Sequence, residues 1–155
     1  MIMLKMTRYR HFLFCYTIVA MIKDSLFRIS FKCVILNEKN RVLVVKEHGR
    51  SSWDLPGGGI DHGESINDSI ARELFEEVSY VGNFKYRVIK MTDPRKLATR
   101  DVWQIRIVLH LETDSLSFSA GSEADEITFI DPEELRQSDQ ELESIVFEYI
   151  QLVSK

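Results

Sequence analysis

The residues best suited to chemistry lie in one stretch, Pro56–Tyr80, with the sequence PGGGIDHGESINDSIARELFEEVSY. Four of the chain's seven glycines stand between residues 57 and 63. Glu73, Glu76 and Glu77 follow on a predicted helix, where a turn of about 100° per residue places all three carboxylates in one sector. Arg72 is the adjacent positive charge, and no lysine four residues further on relieves the repulsion.

A hard divalent cation would turn this repulsion into attraction. Mg²⁺ prefers oxygen ligands, and glycines let backbone groups approach an ion or a phosphate where side chains would obstruct them. The pattern therefore favours a site that handles phosphate with a metal. The alternative, from the residues alone, is an amphipathic helix with a solvated acidic face.

The elements that must position this stretch are predicted from hydrophobic periodicity. Alternation over 25–36 predicts a half-buried strand with Phe27, Ile29, Phe31, Cys33 and Ile35 facing the core and Arg28, Ser30 and Lys32 facing solvent. Further strands are predicted at 41–48, 84–92, 101–112, 116–120 and 126–130. Helices are predicted at 65–78 with a Ser65–Asp68 capping box, from Pro132 with Asp131 as N-cap, and at 139–153 with a Ser138–Glu141 capping box.

Length and composition indicate one globular domain: 155 residues, 45% hydrophobic and 28% charged. The net charge of −4 combines a basic segment 1–50 with an acidic remainder. No basic stripe typical of nucleic-acid binding is present, so we predict no nucleic-acid partner. Cys15 and Cys33 fit no metal or redox spacing, which predicts two reduced, buried thiols and a cytoplasmic protein.

The N-terminal residues 1–24 are predicted to form an extension or an extra strand ahead of the main domain, 25–155. Basic residues precede the apolar run Phe12–Ile22, as in a signal peptide. The run is too short to span a bilayer, and no small-residue cleavage site follows it. A strand or a packed extension is therefore favoured, no membrane partner is predicted, and Met21 is an alternative start of the protein.

The spacing of Gly58, Glu64 and the run Arg72–Tyr80 resembles the Nudix box, G-x5-E-x7-R-E-U-x-E-E-x-G-U, in which U is bulky and apolar. Every charged position matches, and the preceding WDLPGG (53–58) is typical of the same family. The resemblance covers most of residues 25–150. It implies an α+β fold, namely an α-β-α sandwich around a mixed β-sheet, with the box helix on one side and the last helix on the other.

One position departs from the box. The family glycine that ends the helix in a left-handed conformation is Ser79 here, where a residue other than glycine costs on the order of 1 kcal/mol. The departure leaves the exit from the helix open, and Gly82 is the alternative terminator.

The resemblance also implies roles for the box residues. Glu77 is expected to be the principal metal ligand, joined by Glu76, Glu73 and the backbone carbonyl of Gly57, with Mg²⁺ or else Mn²⁺ as the cofactor. Arg72 is expected to orient Glu73 and Glu76. Glu64 is expected to bind the metal through water or to hold the helix in place. The general base is expected to be Glu73 or a glutamate of a later loop, either Glu126 or Glu123.

The implied activity is hydrolysis of a diphosphate linkage in a nucleoside diphosphate derivative, by a monomer or a homodimer. Arg28 and Lys46, on strands of the basic segment, are candidates to bind phosphate. Gly58 in the glycine loop and Trp53 beside it are further candidates for substrate contacts. The alternative is a non-catalytic Nudix module that senses nucleotides, although such modules usually lose the box carboxylates that this chain keeps.

Overall fold

The computed structural model describes residues 27–97 and 101–153. The strands are β1 (Phe27–Val34), β2 (Val42–Glu47), β3 (Phe84–Met91), β4 (Arg95–Lys96), β5 (Trp103–Thr113) and β6 (Ala124–Ile130), and the helices are α1 (Ile66–Val78), α2 (Pro132–Arg136) and α3 (Glu141–Ile150). None of the described helices is both long and apolar enough to cross a membrane. Residues 1–24, with Cys15 and the apolar run, lie outside the described residues, so their role stays a prediction.

The larger sheet is mixed. In it β5 is the central partner: β1 pairs with it in parallel, and β3 and β4 pair with it antiparallel. In a second sheet β2 and β6 pair antiparallel. The turn between β1 and β2 is closed by Asn37, whose side-chain oxygen accepts from the backbone N–H groups of Lys39 and Arg41, each at 3.0 Å.

Two apolar clusters lie on opposite faces of β1 and β5. The first packs α1 against odd-numbered strand residues and consists of Phe31, Cys33, Ile35, Leu43, Ile70, Leu74, Val78, Tyr80, Leu109 and Leu111. The second packs α2 and α3 against even-numbered residues and consists of Val34, Val42, Val44, Leu55, Val108, Leu135, Val146, Tyr149 and Ile150. The helices therefore enclose the sheets on both sides, which confirms the predicted α-β-α sandwich.

The prediction of a half-buried β1 is wrong. Ser30 and Lys32, expected to face solvent, are each only 5% exposed, while Phe27 and Ile29 are 47% and 42% exposed. The cause is tertiary, because β1 is paired on both edges: β5 lies on one side and the segment Pro56–Gly59 on the other. The even-numbered face of β1 is in addition covered by the second apolar cluster, to which Val34 belongs, so the polar residues on that face are enclosed.

Helix α1 begins and ends close to where the sequence predicts. Ser65 is the N-cap, and its hydroxyl oxygen accepts from the backbone N–H of Asp68 at 3.1 Å. Ser79 ends the helix in the left-handed conformation, with φ 51° and ψ 32°. The N–H of Ser79 donates to the Phe75 carbonyl, four residues back, at 3.1 Å, which is the bond of the αL motif, and the N–H of Tyr80 donates to the Leu74 carbonyl at 3.0 Å. Ser79 itself is the terminator, so the alternative assignment to Gly82 is wrong.

Two other local predictions are wrong. Residues 116–120 form no strand, since their segment bonds through its backbone to the C-terminal end of α1. The last helix starts at Glu141 with Gln140 as the N-cap, which makes no side-chain capping bond. Ser138 instead accepts from the N–H of Gln140 at 3.1 Å, a local turn that competes with the predicted capping box.

Candidate metal centre

The glycine loop lies between β1 and α1. The N–H of Phe31 donates to the Gly58 carbonyl at 2.9 Å, and the N–H of Cys33 donates to the Pro56 carbonyl at 2.8 Å. Gly57 has a φ of +130°, a conformation that residues with side chains rarely adopt. A Cβ at Gly58 would lie 2.2 Å from Oε1 of Glu73. The loop therefore needs glycine at both positions to place its backbone against the helix carboxylates.

Arg72 makes hydrogen bonds to several carboxylates on the acidic side of α1. Its guanidinium donates to Oε1 of Glu73 at 2.8 Å, to Oε2 of Glu76 at 3.1 Å and to the Gly59 carbonyl at 3.0 Å. Two further bonds, at 2.9 and 3.0 Å, reach the two oxygens of Glu64. These hydrogen bonds from Arg72 lower the pKa of Glu64 to about 2. One cation thus fixes three carboxylates and the loop.

Glu77 is more deeply buried than the other two helix carboxylates, at 3% exposed. Its Oε2 accepts from the N–H of Gly57 at 2.7 Å. Burial raises the pKa of Glu77 to about 8, although Lys32 and the Gly57 N–H both act to lower it. The carboxyl group is therefore held in an environment that disfavours its charge unless a cation is near.

Lys32 is a buried cation whose charge acts to lower the pKa of Glu77. Its Nζ lies 2.8 Å from Oδ2 of Asp54 and 3.8 Å from Oε1 of Glu47, and it donates to the Leu55 carbonyl at 2.9 Å. Burial lowers the pKa of Lys32, but attraction to Asp54 and then to Glu77 raises it above its ordinary value. The lysine is a charged, buried support for the site, which the alternation of β1 alone did not predict.

Three carboxylates converge where a cation could be held. One oxygen from each of Glu73, Glu76 and Glu123 lies within 4.8 Å of the others. Glu73 is 7% exposed, and burial raises its pKa. Glu77 is not in this triplet, because its carboxylate is turned toward Gly57. An all-oxygen set of three carboxylates suits a hard divalent cation such as Mg²⁺ or Mn²⁺.

Glu123 is brought to α1 by the segment before β6. The N–H groups of Ser119, Gly121 and Glu123 donate to the carbonyls of Val78, Glu77 and Glu76 at 3.2, 3.0 and 3.0 Å. These are last-turn carbonyls, which have no partner within the helix. The segment satisfies them and sets the Glu123 carboxylate beside Glu76. The sequence named Glu123 only as one of two later glutamates, since no periodicity marks this contact.

The other predicted site residues fall into a second group. Glu126 faces Lys46 across the β2–β6 pair, with 3.0 Å between Oε2 and Nζ, and is 55% exposed. The same Nζ lies 4.0 Å from the centre of the Trp53 ring. The backbone N–H of Trp53 donates to Oε1 of Glu143 at 2.8 Å. Among the described residues, Glu126 is therefore outside the carboxylate triplet. Arg28 lies against Gly59, at the edge of the glycine loop.

Comparison with known proteins places this geometry in context. The NUDIX domain model matches residues 26–151. An RNA pyrophosphohydrolase of Pectobacterium carotovorum is 36% identical over 83 residues, 54% of this chain and 42% of that protein. The RNA pyrophosphohydrolase of Ruthia magnifica is 47% identical over 58 residues, 37% of this chain and 32% of that protein. The chain thus aligns with less than half the length of these curated relatives.

Solved structures share the fold. A MutT protein from Methanosarcina mazei superposes with a TM-score of 0.67 at 23% identity, covering 84% of this chain and 96% of that one. An ADP-ribose pyrophosphatase from Streptococcus suis superposes with a TM-score of 0.58 at 23% identity, covering 81% of this chain and 87% of that one. At these identities the likeness shows the architecture alone.

Proposed function

Since this chain belongs to the Nudix family, we propose that it is a Mg²⁺- or Mn²⁺-dependent pyrophosphohydrolase that cleaves a diphosphate linkage in a nucleoside diphosphate derivative. The observation that carries the proposal is the convergence of Glu73, Glu76 and Glu123 within 4.8 Å, beside the glycine loop and Arg72. A solvated acidic helix face would not bury Glu73 and Glu77 to 7% and 3% exposure.

In this proposal Glu73, Glu76 and Glu123 hold the cation, with Glu77 and the Gly57 carbonyl completing the set implied by the family. Bound there, the cation would neutralise the diphosphate and acidify an attacking water. The chain's own contribution is positioning: Arg72 fixes the directions of Glu73 and Glu76 by charge-assisted hydrogen bonds.

Proton removal from the water requires a carboxylate that reaches it. Glu73 and Glu123 both lie in the triplet, and each offers an oxygen to receive the proton. Glu126 is bound to Lys46 in the second group, so Glu123 takes its place as the later-loop candidate. Which of Glu73 and Glu123 acts as the base is decided by the pH profile of each glutamine variant.

Substrate contacts are proposed on both sides of the carboxylates. Arg28 and Gly58 border the loop and would meet the phosphates, where an arginine and close backbone suit an anion. Lys46 and Trp53 would meet the group attached to the diphosphate. Nucleotide substrates and the free, buried Cys33 thiol fit a cytoplasmic location.

A 5′-phosphorylated RNA end is the second substrate candidate. It is favoured by relatives named RNA pyrophosphohydrolase, which match this chain over the box region. Against it stands the net charge of −4, since proteins that grip a nucleic-acid backbone usually present a basic surface.

The experiment is a phosphate-release screen. Nucleoside triphosphates, dinucleotides, nucleoside diphosphate sugars, ADP-ribose and 5′-triphosphorylated RNA are tested with Mg²⁺, with Mn²⁺ and with EDTA. We expect hydrolysis of at least one compound that EDTA abolishes and added metal restores. Binding of nucleotides without any hydrolysis would instead support the non-catalytic sensing module.

A further inference from the structure

The even-numbered face of β1 and β5 carries buried polar atoms that nothing among the described residues satisfies. Across residues 27–97 and 101–153 there are three such side-chain atoms, and two of them are Oγ of Ser30 and Nε of Arg106. Ser30 and Arg106 are direct partners in the parallel β1–β5 register. Buried polar groups are normally hydrogen-bonded, so two orphaned groups side by side point to a ligand that is not part of the described chain.

The neighbours of this pair are also polar. Arg28 and Gln104 form the adjacent register pair, and Gln104 is 8% exposed. Residues paired across neighbouring strands lie on the same face of the sheet. Val108 lies on the same face of β5 as Gln104 and Arg106, and it belongs to the second apolar cluster, so this is the face against which α3 packs. The four side chains therefore form one polar patch, which we call the β1–β5 subsite: Arg28, Ser30, Gln104 and Arg106.

The charge of this subsite is positive. Of the three cations that β1 and β5 place on this face, Lys32 has carboxylate partners among the described residues, at 2.8 and 3.8 Å. Described carboxylates make no ion pair with either Arg28 or Arg106. A neutral ligand would leave two guanidinium groups uncompensated in a partly buried position, whereas an anion would pair with them in a fork geometry.

The subsite adjoins the candidate metal centre. A Cβ at Gly59 would lie 2.1 Å from Nη2 of Arg28, so the guanidinium rests on the glycine loop. The preceding glycine of the loop, Gly58, lies against the Glu73 carboxylate in the same way. Ser30 also bridges to Gly59. The carboxylates lie on one side of this loop and the subsite on the other, so a molecule whose diphosphate lies at the carboxylates can reach the subsite by passing the loop at Gly58 and Gly59.

We infer that the β1–β5 subsite selects nucleoside diphosphate derivatives in which the group beyond the diphosphate is anionic, with Arg106 and Ser30 as the specificity residues. The inference rests on the proposed function for the position of the diphosphate. Arg106 and Arg28 pair with the anionic group, and the Ser30 hydroxyl donates a further hydrogen bond to it.

The test compares two probes that differ in one group: uridine diphosphate glucuronate, with a carboxylate, and uridine diphosphate glucose, with a hydroxymethyl. Binding is measured by calorimetry in Ca²⁺, which takes the same oxygen ligands, and the recovered compound is checked for hydrolysis. We expect the wild-type Kd to be at least about tenfold lower for the glucuronate, a modest demand on a charge-assisted pair.

The variants assign the preference to residues. Arg106→Gln should bring the two Kd values to within about twofold while leaving that for the glucose compound nearly unchanged. Arg87→Gln removes the same charge from a strand position at the other end of the sheet, where Arg87 pairs with His110, and should keep the preference. Ser30→Ala should reduce the preference and leave the melting temperature of the free protein unchanged or higher, because an unsatisfied buried hydroxyl is removed.

A wild-type protein that binds both probes equally, or prefers the glucose compound, would overturn the inference. So would an Arg106→Gln variant that keeps the preference, or, if that variant does not fold, a Ser30→Ala variant that keeps it. Failure to bind either probe would also overturn the inference. It would not affect the proposed metal-dependent hydrolysis, which the phosphate-release screen tests. Conversely, a retained preference in a protein that hydrolyses nothing would sink the proposed function and not the subsite.

Discussion

Two buried glutamates hold the segment 53–57 from opposite sides of the molecule, and they differ in the charges that surround them. Glu77 on α1 accepts from the N–H of Gly57 at 2.7 Å, and Glu143 on α3 accepts from the N–H of Trp53 at 2.8 Å. They are 3% and 8% exposed. Glu77 lies among carboxylates that raise its pKa further beyond the effect of burial. Glu143 accepts from the backbone N–H of Trp53 and is not a member of the triplet.

Glu77, proposed to serve a metal, and Glu143, which supports the fold, are similar in their bonding. Each makes one backbone bond, so hydrogen bonding does not separate them. They differ in the neighbouring charges, because Glu77 lies among other carboxylates. Like charges gathered in a buried place destabilise the fold unless a cation is bound there. The acidic face of α1 therefore fits the proposed cation, whereas Glu143 of α3 supports the backbone at Trp53.

Removing one carboxylate charge from each helix should give the largest difference in turnover. Glu77→Gln should lower metal-dependent turnover by at least about a hundredfold, since one electrostatic element of a phosphoryl-transfer site is lost. Its metal-free stability should stay the same or rise. Glu143→Gln keeps an acceptor for Trp53, and turnover should remain within about threefold of wild type. Near-wild-type turnover in Glu77→Gln at saturating Mg²⁺ would refute the distinction.

A second substitution pair separates the two later glutamates. Glu123→Gln should reduce turnover by at least about tenfold, because Glu123 belongs to the triplet with Glu73 and Glu76. Glu126→Gln should change it by no more than about twofold, because Glu126 is an exposed partner of Lys46. The reverse order of effects, in kcat measured on the best substrate of the screen, would return the catalytic role to Glu126.

Metal-free stability should depend on pH through Glu77. Its pKa is about 8 in the fold against roughly 4.3 in the unfolded chain, so the fold favours the protonated form. This stabilising contribution is complete below the unfolded pKa and is lost as pH rises toward 8. The free energy of unfolding should therefore fall by roughly 2–4 kcal/mol between about pH 5 and pH 8.

The Glu77→Gln variant is the control for that pH dependence. His48, whose pKa is raised by its hydrogen bond to Asp125, contributes loss of the same sign and remains in both proteins. The difference between wild type and variant isolates Glu77. Added Mg²⁺ should restore wild-type stability at pH 8. If urea denaturation gives the same change in the free energy of unfolding with pH for the wild type and for Glu77→Gln, the pH dependence does not come from Glu77.

The smallest expected effect is at the end of α1. Ser79 holds a left-handed conformation with φ 51°, so Ser79→Gly should stabilise the protein by up to about 1 kcal/mol. The gain is limited by loss of the 3.3 Å bond from the Ser79 hydroxyl to the Ala120 carbonyl. Turnover should not change. A melting temperature equal to or below that of wild type would show that this bond outweighs the backbone strain.

The sequence predicted what depends on local pattern. The extent of α1, its Ser65 cap, the sandwich and the family all follow from periodicity and from spaced motif residues. Lys32 was misplaced because burial of the second face of β1 depends on a loop more than twenty residues away and on α3. Alternation along a single strand carries no information about either.

The candidate site, too, could be predicted only where it depends on local sequence. Glu73, Glu76 and Glu77 share a helix face that the sequence displays. Glu123 reaches them only because backbone N–H groups of its segment satisfy the last carbonyls of α1, a contact with no side-chain signature. We propose Glu123 in preference to Glu126 because the β2–β6 register pairs Lys46 with Glu126, and a strand register is not visible in local sequence.

Direct titration with Mn²⁺, followed by electron paramagnetic resonance of the free ion, tests the central claim that α1 presents a metal site and α3 does not. Wild-type protein and Glu143→Gln should bind Mn²⁺ with the same affinity, and Mg²⁺ should displace it from both. Glu76→Gln should weaken binding by at least about tenfold, as expected when one of few carboxylate ligands is lost. If wild-type protein takes up no Mn²⁺, or if Glu76→Gln binds it as tightly as Glu143→Gln does, the acidic face of α1 is not a metal site.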